Sequence, residues 1–410
     1  VVQMISALEK SSTLRAVTTL RHALRSPARL AAAALVGAAC LSSLSAVSAG
    51  AATINPAFKG QSMWIWQMPN AEAGSVAKIV ARAKAAGVSS VYIKSADGSG
   101  AWQQFTKPLV ASLHAAGLRV CGWQFVYGSK PTGEARAAAA AKTAGADCMI
   151  IDAESTYEGR YSSARTYMKE LRRLVGPKFP IGFTSFPYVD YHPSLPYSVF
   201  LGPGGAEVNM PQVYWRDIGE SVATTMKHTW RENRIYGRPI HPIGQTYQSP
   251  SVNDILSFRN LAAGYKAPGY SWWEWSTTSS KIWKALGQAL PAARAPADPG
   301  WPLLRRGAKG DPVVRAQQLL ASAGAATLKA TGIYDSATVT AVKAFQVEHQ
   351  LTADGQLGAS TWVLLGKVTV ALAGNRAASA ASVAREAAAS SSVPQSSDLP
   401  AVANELRGQR

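Results

Sequence analysis

Between residues 58 and 290 the chain repeats one unit, a short apolar run followed by an Ala-rich or otherwise helix-compatible stretch. Strands are expected at 63–66, 90–94, 118–125, 148–154, 180–185, 208–215, 240–246 and 270–275. Helices are expected at 75–86, 109–116 and 134–144, and Gly87, Gly117 and Gly145 stop them, because glycine takes the left-handed backbone of a helix end without a Cβ clash. A strand that leads repeatedly into a helix builds a parallel sheet with helices on its faces. Eight such units over this length predict an α/β fold, a (β/α)8 TIM-type barrel. A doubly wound open sheet is the alternative.

The strongest chemical signal sits where the fourth strand ends. Cys148, Met149, Ile150 and Ile151 run into Asp152-Ala153-Glu154, and on a strand residues two apart share a face. Catalytic groups of parallel barrels gather at this end of the strands, and paired carboxylates there suit proton donation and charge stabilisation at a glycosidic bond. The other strand ends give Trp66, Gln67, Lys94, Asp97, Gln124, Tyr127, Ser185, Gln212, Tyr214, Gln245 and Glu274, with Trp272, Trp273 and Trp275 around the last. Indole faces beside polar groups fit sugar, which offers C–H faces and hydroxyls. Trp66, Lys94, Gln124, Gln212, Tyr214, Trp273 and Glu274 are therefore the candidate substrate-binding residues, and Glu154 and Asp152 the candidate catalytic pair. Acids and aromatics of this kind also serve as structural networks and barrel packing.

At 410 residues and 47% hydrophobic, the chain can hold a large core and a second small domain. Its formal charge is +18, and the first 52 residues contribute five basic groups against Glu9, which leaves about +14 beyond them. Such a field favours polyanions, including anionic wall polymers; no basic-aromatic motif points to nucleic acid. Arg15, Arg21, Arg25 and Arg29 precede an apolar stretch at 30–41 and small residues to Ala52. That order predicts a signal peptide over residues 1–52, export, and no membrane anchor after cleavage. Cys40 falls within it, so Cys121 and Cys148 remain. Both lie in apolar strand candidates, and two buried free thiols are favoured over an inter-strand disulfide. No CxxC or HxxxH spacing occurs, so neither a metal nor a cofactor is expected.

The strand ending Ile151-Asp152-Ala153-Glu154 resembles the Asp-x-Glu strand of glycoside hydrolase family 25, lysozyme-type muramidases on a barrel. It is more distantly similar to the DxxDxDxE motif of family 18, with Asp147, Asp152 and Glu154 in place and Ile150 at the middle Asp. The resemblance implies Glu154 as general acid and Asp152 as the group that orients the substrate's acetamido arm. The chain departs from family 25 at its first strand, where residues 61–66 carry no acid. Glu274 could restore a carboxylate or pair with Lys94.

Residues 291–302, rich in Pro and Ala, read as a linker, and 303–368 as a small all-α module. Asp311 suits a helix N-cap with Pro312 behind it. Within the module Gly332-Ile333-Tyr334-Asp335-x-x-Thr338 matches Gly355-Gln356-Leu357-Gly358-x-x-Thr361 in spacing. Together with Gly310, Val314, Gln318, Leu319, Ala341, Val342, Phe345, Gln346, Leu351, Asp354 and Trp362, this resembles the helical peptidoglycan-binding domain of wall hydrolases. Residues 369–410, rich in Ala and Ser, are expected to be a disordered, partly helical tail. The expectation is a secreted, wall-associated, monomeric glycan hydrolase acting on peptidoglycan or a related amino-sugar polymer. The alternative is a non-catalytic wall- or carbohydrate-binding protein with a degenerate barrel.

Overall fold

A computed structural model describes residues 54–290 and 292–390; the expected signal peptide and residues 391–410 lie outside the described residues. Eight parallel strands close into a barrel: β1 (Gly60–Ile65), β2 (Val88–Asp97), β3 (Arg119–Val126), β4 (Cys148–Ala153), β5 (Ile181–Ser185), β6 (Val208–Val213), β7 (Ile243–Gln245) and β8 (Gly269–Trp273). Each pairs with the next, and β8 pairs with β1. A two-residue strand, Gly100–Ala101, folds back antiparallel on the end of β2 and forms a lip at the mouth. The expected barrel is thus present, with later strands trimmed. Ile240 makes only an isolated bridge to Asn209, and Pro242 has no N–H for a ladder.

Helices α1 (Val76–Ala85), α2 (Lys107–Ala115), α3 (Pro131–Thr143), α4 (Tyr161–Val175), α5 (Val222–Asn233), α6 (Val252–Gly264) and α7 (Ser280–Leu286) form the outer layer. Ser and Thr side chains cap α1, α2, α5, α6 and α7 at their N-termini, satisfying amides that the helix itself leaves free. The barrel strands are buried on both faces: one face of β4 meets helices through Met149, Ile151 and Ala153, the other fills the barrel through Cys148 and Ile150. That double burial explains why β4 reads as one apolar run rather than an alternation.

After β5 the barrel has only a one-turn helix, Tyr197–Phe200. This leaves an apolar surface of Tyr197, Phe200, Leu201, Ile235 and Tyr236, which joins one core with Val313, Ala316, Leu319 and Leu320 of α8 (Asp311–Ser322). The C-terminal module, α8, α9 (Ser336–Glu348) and the start of α10 (Ala359–Ser390), is therefore packed onto the barrel. The expected linker is pinned as well. Trp301 lies against the Arg234 guanidinium at 4.1 Å, and Asp298 pairs with Arg234 at 2.7 Å. Asp311 does not cap α8 as expected. Gly310 holds that place, and the Asp311 carboxylate crosses to the barrel, where it accepts from Ser198 N (2.8 Å), Ser198 Oγ (2.6 Å) and Tyr236 OH (2.8 Å).

The internal repeat has a physical basis. Buried Gln317 accepts from Gly332 N and donates to Ile333 O and Thr338 Oγ1; Gln346 does the same with Gly355 N, Gln356 O and Thr361 Oγ1. One glutamine thus ties each turn to the helix it enters. The buried member of the first repeat is Gln317 rather than Gln318. Residues 369–390 continue α10, in keeping with the high helix propensity of alanine.

Candidate active site

Period-two alternation decides which residues meet inside the barrel. From β4, Cys148, Ile150 and Asp152 point inward, stacked one above another, with Glu154 at the rim. Inward residues of the neighbouring strands form an aromatic floor: Trp64 lies 5.4 Å from Tyr92, 5.5 Å from Trp123 and 5.7 Å from Trp273, ring centre to ring centre. Trp64 Nε1 donates to Ser271 Oγ and Trp123 Nε1 to Ile65 O, so the buried indoles are satisfied. Lower in the barrel, Cys121 and Cys148 are register partners on β3 and β4 and form a disulfide, with Cα atoms 4.6 Å apart. This overturns the expectation of free thiols. Consecutive barrel strands bring two inward positions within bonding reach.

Above the floor a cavity of about 140 Å³ is lined by Trp64, Asp152, Glu154, Thr184, Gln212, Tyr214, Ile243 and Trp273. At about 30 Å³ per liquid water this is room for about five waters. Gln212 Nε2 donates to Asp152 Oδ1 at 3.2 Å and to Glu154 Oε1 at 2.9 Å. A single amide nitrogen thus ties the two carboxylates together. Burial holds the Asp152 carboxyl well above the usual range; the Glu154 charge and Asp97 push the same way, and Lys94 opposes them. An ionised carboxylate here would lose water and face a like charge.

Lys94 is buried on β2 beside this pair. Its ammonium bonds Asp97 Oδ2 at 2.6 Å and lies 4.6 Å from the Trp102 ring, 4.7 Å from Trp123 and 5.8 Å from Trp66. Gln104 holds the assembly, donating to Lys94 O and Trp66 O. Trp66, 46% exposed, and Tyr127, 40% exposed, present aromatic surface at the mouth.

Of the residues expected from sequence, Asp152, Glu154, Gln212, Tyr214 and Trp273 line one cavity, and Lys94 and Trp66 adjoin it. Gln124 does not. It points out between the helices, donating to Gly98 O and Glu134 O and accepting from Tyr167 OH. The inward set on β3 is Cys121, Trp123 and Phe125, so Gln124 is out of phase by one residue. Glu274 is buried against Ser276 Oγ and does not line the cavity; Lys94 pairs with Asp97 instead. Asp147 lies at the opposite end of β4, bonded to His114 and Val120 N.

Sequence reasoning missed Trp64, Thr184 and Trp102. Thr184 is the register partner of Asp152, and its buried hydroxyl has no partner. Counting by two from Gly182 would have placed it inward. Asp190, His228 and Glu232 bring potential metal-ligand atoms within 4.8 Å of one another, but Arg231 pairs with Glu232 at 2.6 Å and lies 4.0 Å from Asp190, giving the acids a counter-charge.

Residues 309–365 match the family described as "Putative peptidoglycan binding domain", and the C-terminal module is a peptidoglycan-binding domain. No curated protein matches the chain. Solved structures similar to it include a chitinase from Chromobacterium violaceum (9% identity, 56% of this chain and 98% of that one, TM-score 0.40). A hyperthermophilic chitinase catalytic domain from Pyrococcus furiosus is 14% identical over 57% of this chain and 94% of that one, with TM-score 0.41. The spore cortex-lytic enzyme SleL of Bacillus cereus is 9% identical over 57% and 75%, with TM-score 0.40. At these identities the likeness is one of fold alone. Among the described residues no helix is long and apolar enough to cross a membrane.

Proposed function

We propose that this protein is a secreted glycan hydrolase that cleaves glycosidic bonds of peptidoglycan or a related amino-sugar polymer, with Asp152 and Glu154 as its catalytic pair. The observation that carries the reading is the Gln212 bridge between two carboxylates, one of them buried, above an aromatic floor in a chain with a peptidoglycan-binding domain. The disulfide supports an oxidising compartment and hence export.

The chemistry follows from the protonation of the pair. Two carboxylates this close resist being ionised together, and burial holds the proton on Asp152 to higher pH than an ordinary carboxyl keeps it. When a substrate's acetamido N–H approaches, Asp152 becomes its acceptor and the proton passes to Glu154, which is nearer the mouth. Glu154 then delivers it to the glycosidic oxygen as the bond breaks. Asp152, now ionised, stabilises the positive charge that develops at the acetamido group and anomeric carbon. The acetamido oxygen bonds to the anomeric carbon as the leaving group departs with the Glu154 proton, and a water then opens the ring so formed, giving its proton to Glu154 and its hydroxyl to the anomeric carbon; two displacements retain the configuration.

The test is release of soluble fragments from purified walls, with mass spectrometry of the new reducing end to identify the sugar. Wild type should release fragments, and Glu154→Gln should lower the rate by 10²-fold or more. If wild type releases nothing from several wall types while still binding them, the barrel is a non-catalytic wall-binding element and the hydrolase reading is wrong.

A further inference from the structure

On the outer wall, away from the mouth, α1 and α7 enclose a groove of about 840 Å³ lined in part by Lys78, Arg82, Trp283, Lys284 and Gln288. Neither helix carries an acid: α1 contributes Lys78, Arg82 and Lys84, and α7 contributes Lys281 and Lys284. The one carboxylate in the groove, Glu72, is taken up by Arg82 at 2.7 Å and also accepts from Trp275 Nε1. Lys78 and Lys284 are exposed and have no ion-pair partner among the described residues.

We propose that this groove docks a linear phosphodiester-linked polyol polymer of the bacterial wall. The inference rests on the proposed wall location, not on hydrolysis. Charge complementarity is its first support: opposed cations flank a channel with no free anion, so each phosphate seated there releases counterions. Placement is the second. Lys78 lies on α1 and Lys284 on α7, so the two uncompensated cations of the groove come from different helices rather than from one point. Ser280 and Gln288 add groups that bond hydroxyls.

The groove also discriminates against nucleic acid. Base stacking needs an open aromatic face, and Trp283 is only 6% exposed, covered by the Arg82 guanidinium at 5.6 Å and the Trp275 ring at 4.7 Å. A polymer that carries phosphates and hydroxyls but no bases fits what the groove offers. Binding there would hold the enzyme on the wall through a contact separate from the peptidoglycan-binding domain, and two contacts on one scaffold raise local concentration.

The experiment measures binding of the full chain to immobilised poly(glycerol phosphate) as salt is raised. With two phosphates neutralised, affinity should fall roughly 7-fold between 50 and 200 mM salt. Lys78→Glu with Lys284→Glu should lower affinity at 50 mM by about 10-fold or more and flatten the salt slope by about 1.4. Lys178→Glu with Lys227→Glu makes the same charge change elsewhere on the barrel and should lower it less than 2-fold. Equal loss in the two double variants would mean that bulk charge alone attracts the polymer, which overturns the site. Single-stranded DNA of equal charge bound as tightly as the polyol phosphate would overturn the proposed partner. Glu154→Gln should bind the polymer as wild type does, so failure of the hydrolase reading would leave this result intact.

Discussion

Replacing Asp311 with alanine tests whether the peptidoglycan-binding domain is part of the barrel's structure or merely tethered to it. The carboxylate is fully buried and accepts from Ser198 N, Ser198 Oγ and Tyr236 OH. Arg315, one turn along α8, adds bonds to the Ile235 and Tyr236 carbonyls of the same barrel segment. Removal strands the Ser198 amide, at about 1–3 kcal/mol, and costs two hydroxyl bonds at about 1 kcal/mol each. The sum is roughly 3–5 kcal/mol, or about 6–10 °C in Tm at about 2 °C per kcal/mol for a unit of this size.

The cost should depend on pH in a definite direction. Burial pushes the Asp311 carboxyl up from 3.8 to about 6. A carboxyl with a raised folded pKa binds protons more tightly when folded, so its contribution is full below about 4 and lost as pH rises through about 6. Two units correspond to about 3 kcal/mol. The loss accumulates steadily between those two pKa values and is about half complete at pH 5, so Asp311→Ala should trail wild type by roughly 1.5–3.5 kcal/mol at pH 5 and by about 1.4 kcal/mol less than that at pH 8. Other titrating groups cancel in the difference. Differential scanning calorimetry of both proteins at both pH values is the assay, with limited proteolysis across 291–302 as a local readout. An equal gap at both pH values would refute the buried, protonated carboxyl, and no gap at pH 5 would refute the joint itself.

Three further outcomes follow from the site and its scaffold. Thr184→Val removes a buried hydroxyl with no partner, so stability should hold or rise slightly while kcat/KM falls about 10-fold if that hydroxyl meets substrate; unchanged kinetics would leave Thr184 without a binding role. The raised Asp152 carboxyl keeps its proton above the ordinary range, so kcat/KM should decline on the alkaline side as that proton leaves, and Gln212→Leu should shift this limb while lowering the rate. A limb that does not move in Gln212→Leu would separate Gln212 from the pair's protonation. The Cys121–Cys148 disulfide closes a loop of separation 27, worth about 3.5 kcal/mol by chain entropy; Cys121→Ala with Cys148→Ala should lower Tm, and an unchanged Tm would show that the bond adds nothing to stability.

Much of the architecture is encoded locally. Helix stops at Gly87, Gly117 and Gly145, the run of Cys148 to Ile151, and the repeated Gly and Thr of the module each depend on neighbours a few residues away, so the barrel and the peptidoglycan-binding domain can be read along the chain. The common face of Asp152 and Glu154 comes from the same short-range geometry, the two-residue period of a strand. Gln124 shows where this reading fails although the information was present. Being polar at a strand end suggested the mouth, but its phase against Cys121 and Trp123 turned it outward, into bonds with Gly98, Glu134 and Tyr167.

What the sequence alone determined, then, was the set of elements and the acid pair one of them carries. Tertiary structure decided which distant groups meet: Gln212 with both acids across about sixty residues, Cys121 with Cys148, Lys94 with three tryptophans, and Asp311 with Ser198 across 113 residues. The physical reason is that a buried polar group must find partners wherever the closed barrel places them. Asp311 has the ordinary look of a helix cap in sequence, and only the missing barrel helix after β5 gives its carboxylate a place to go.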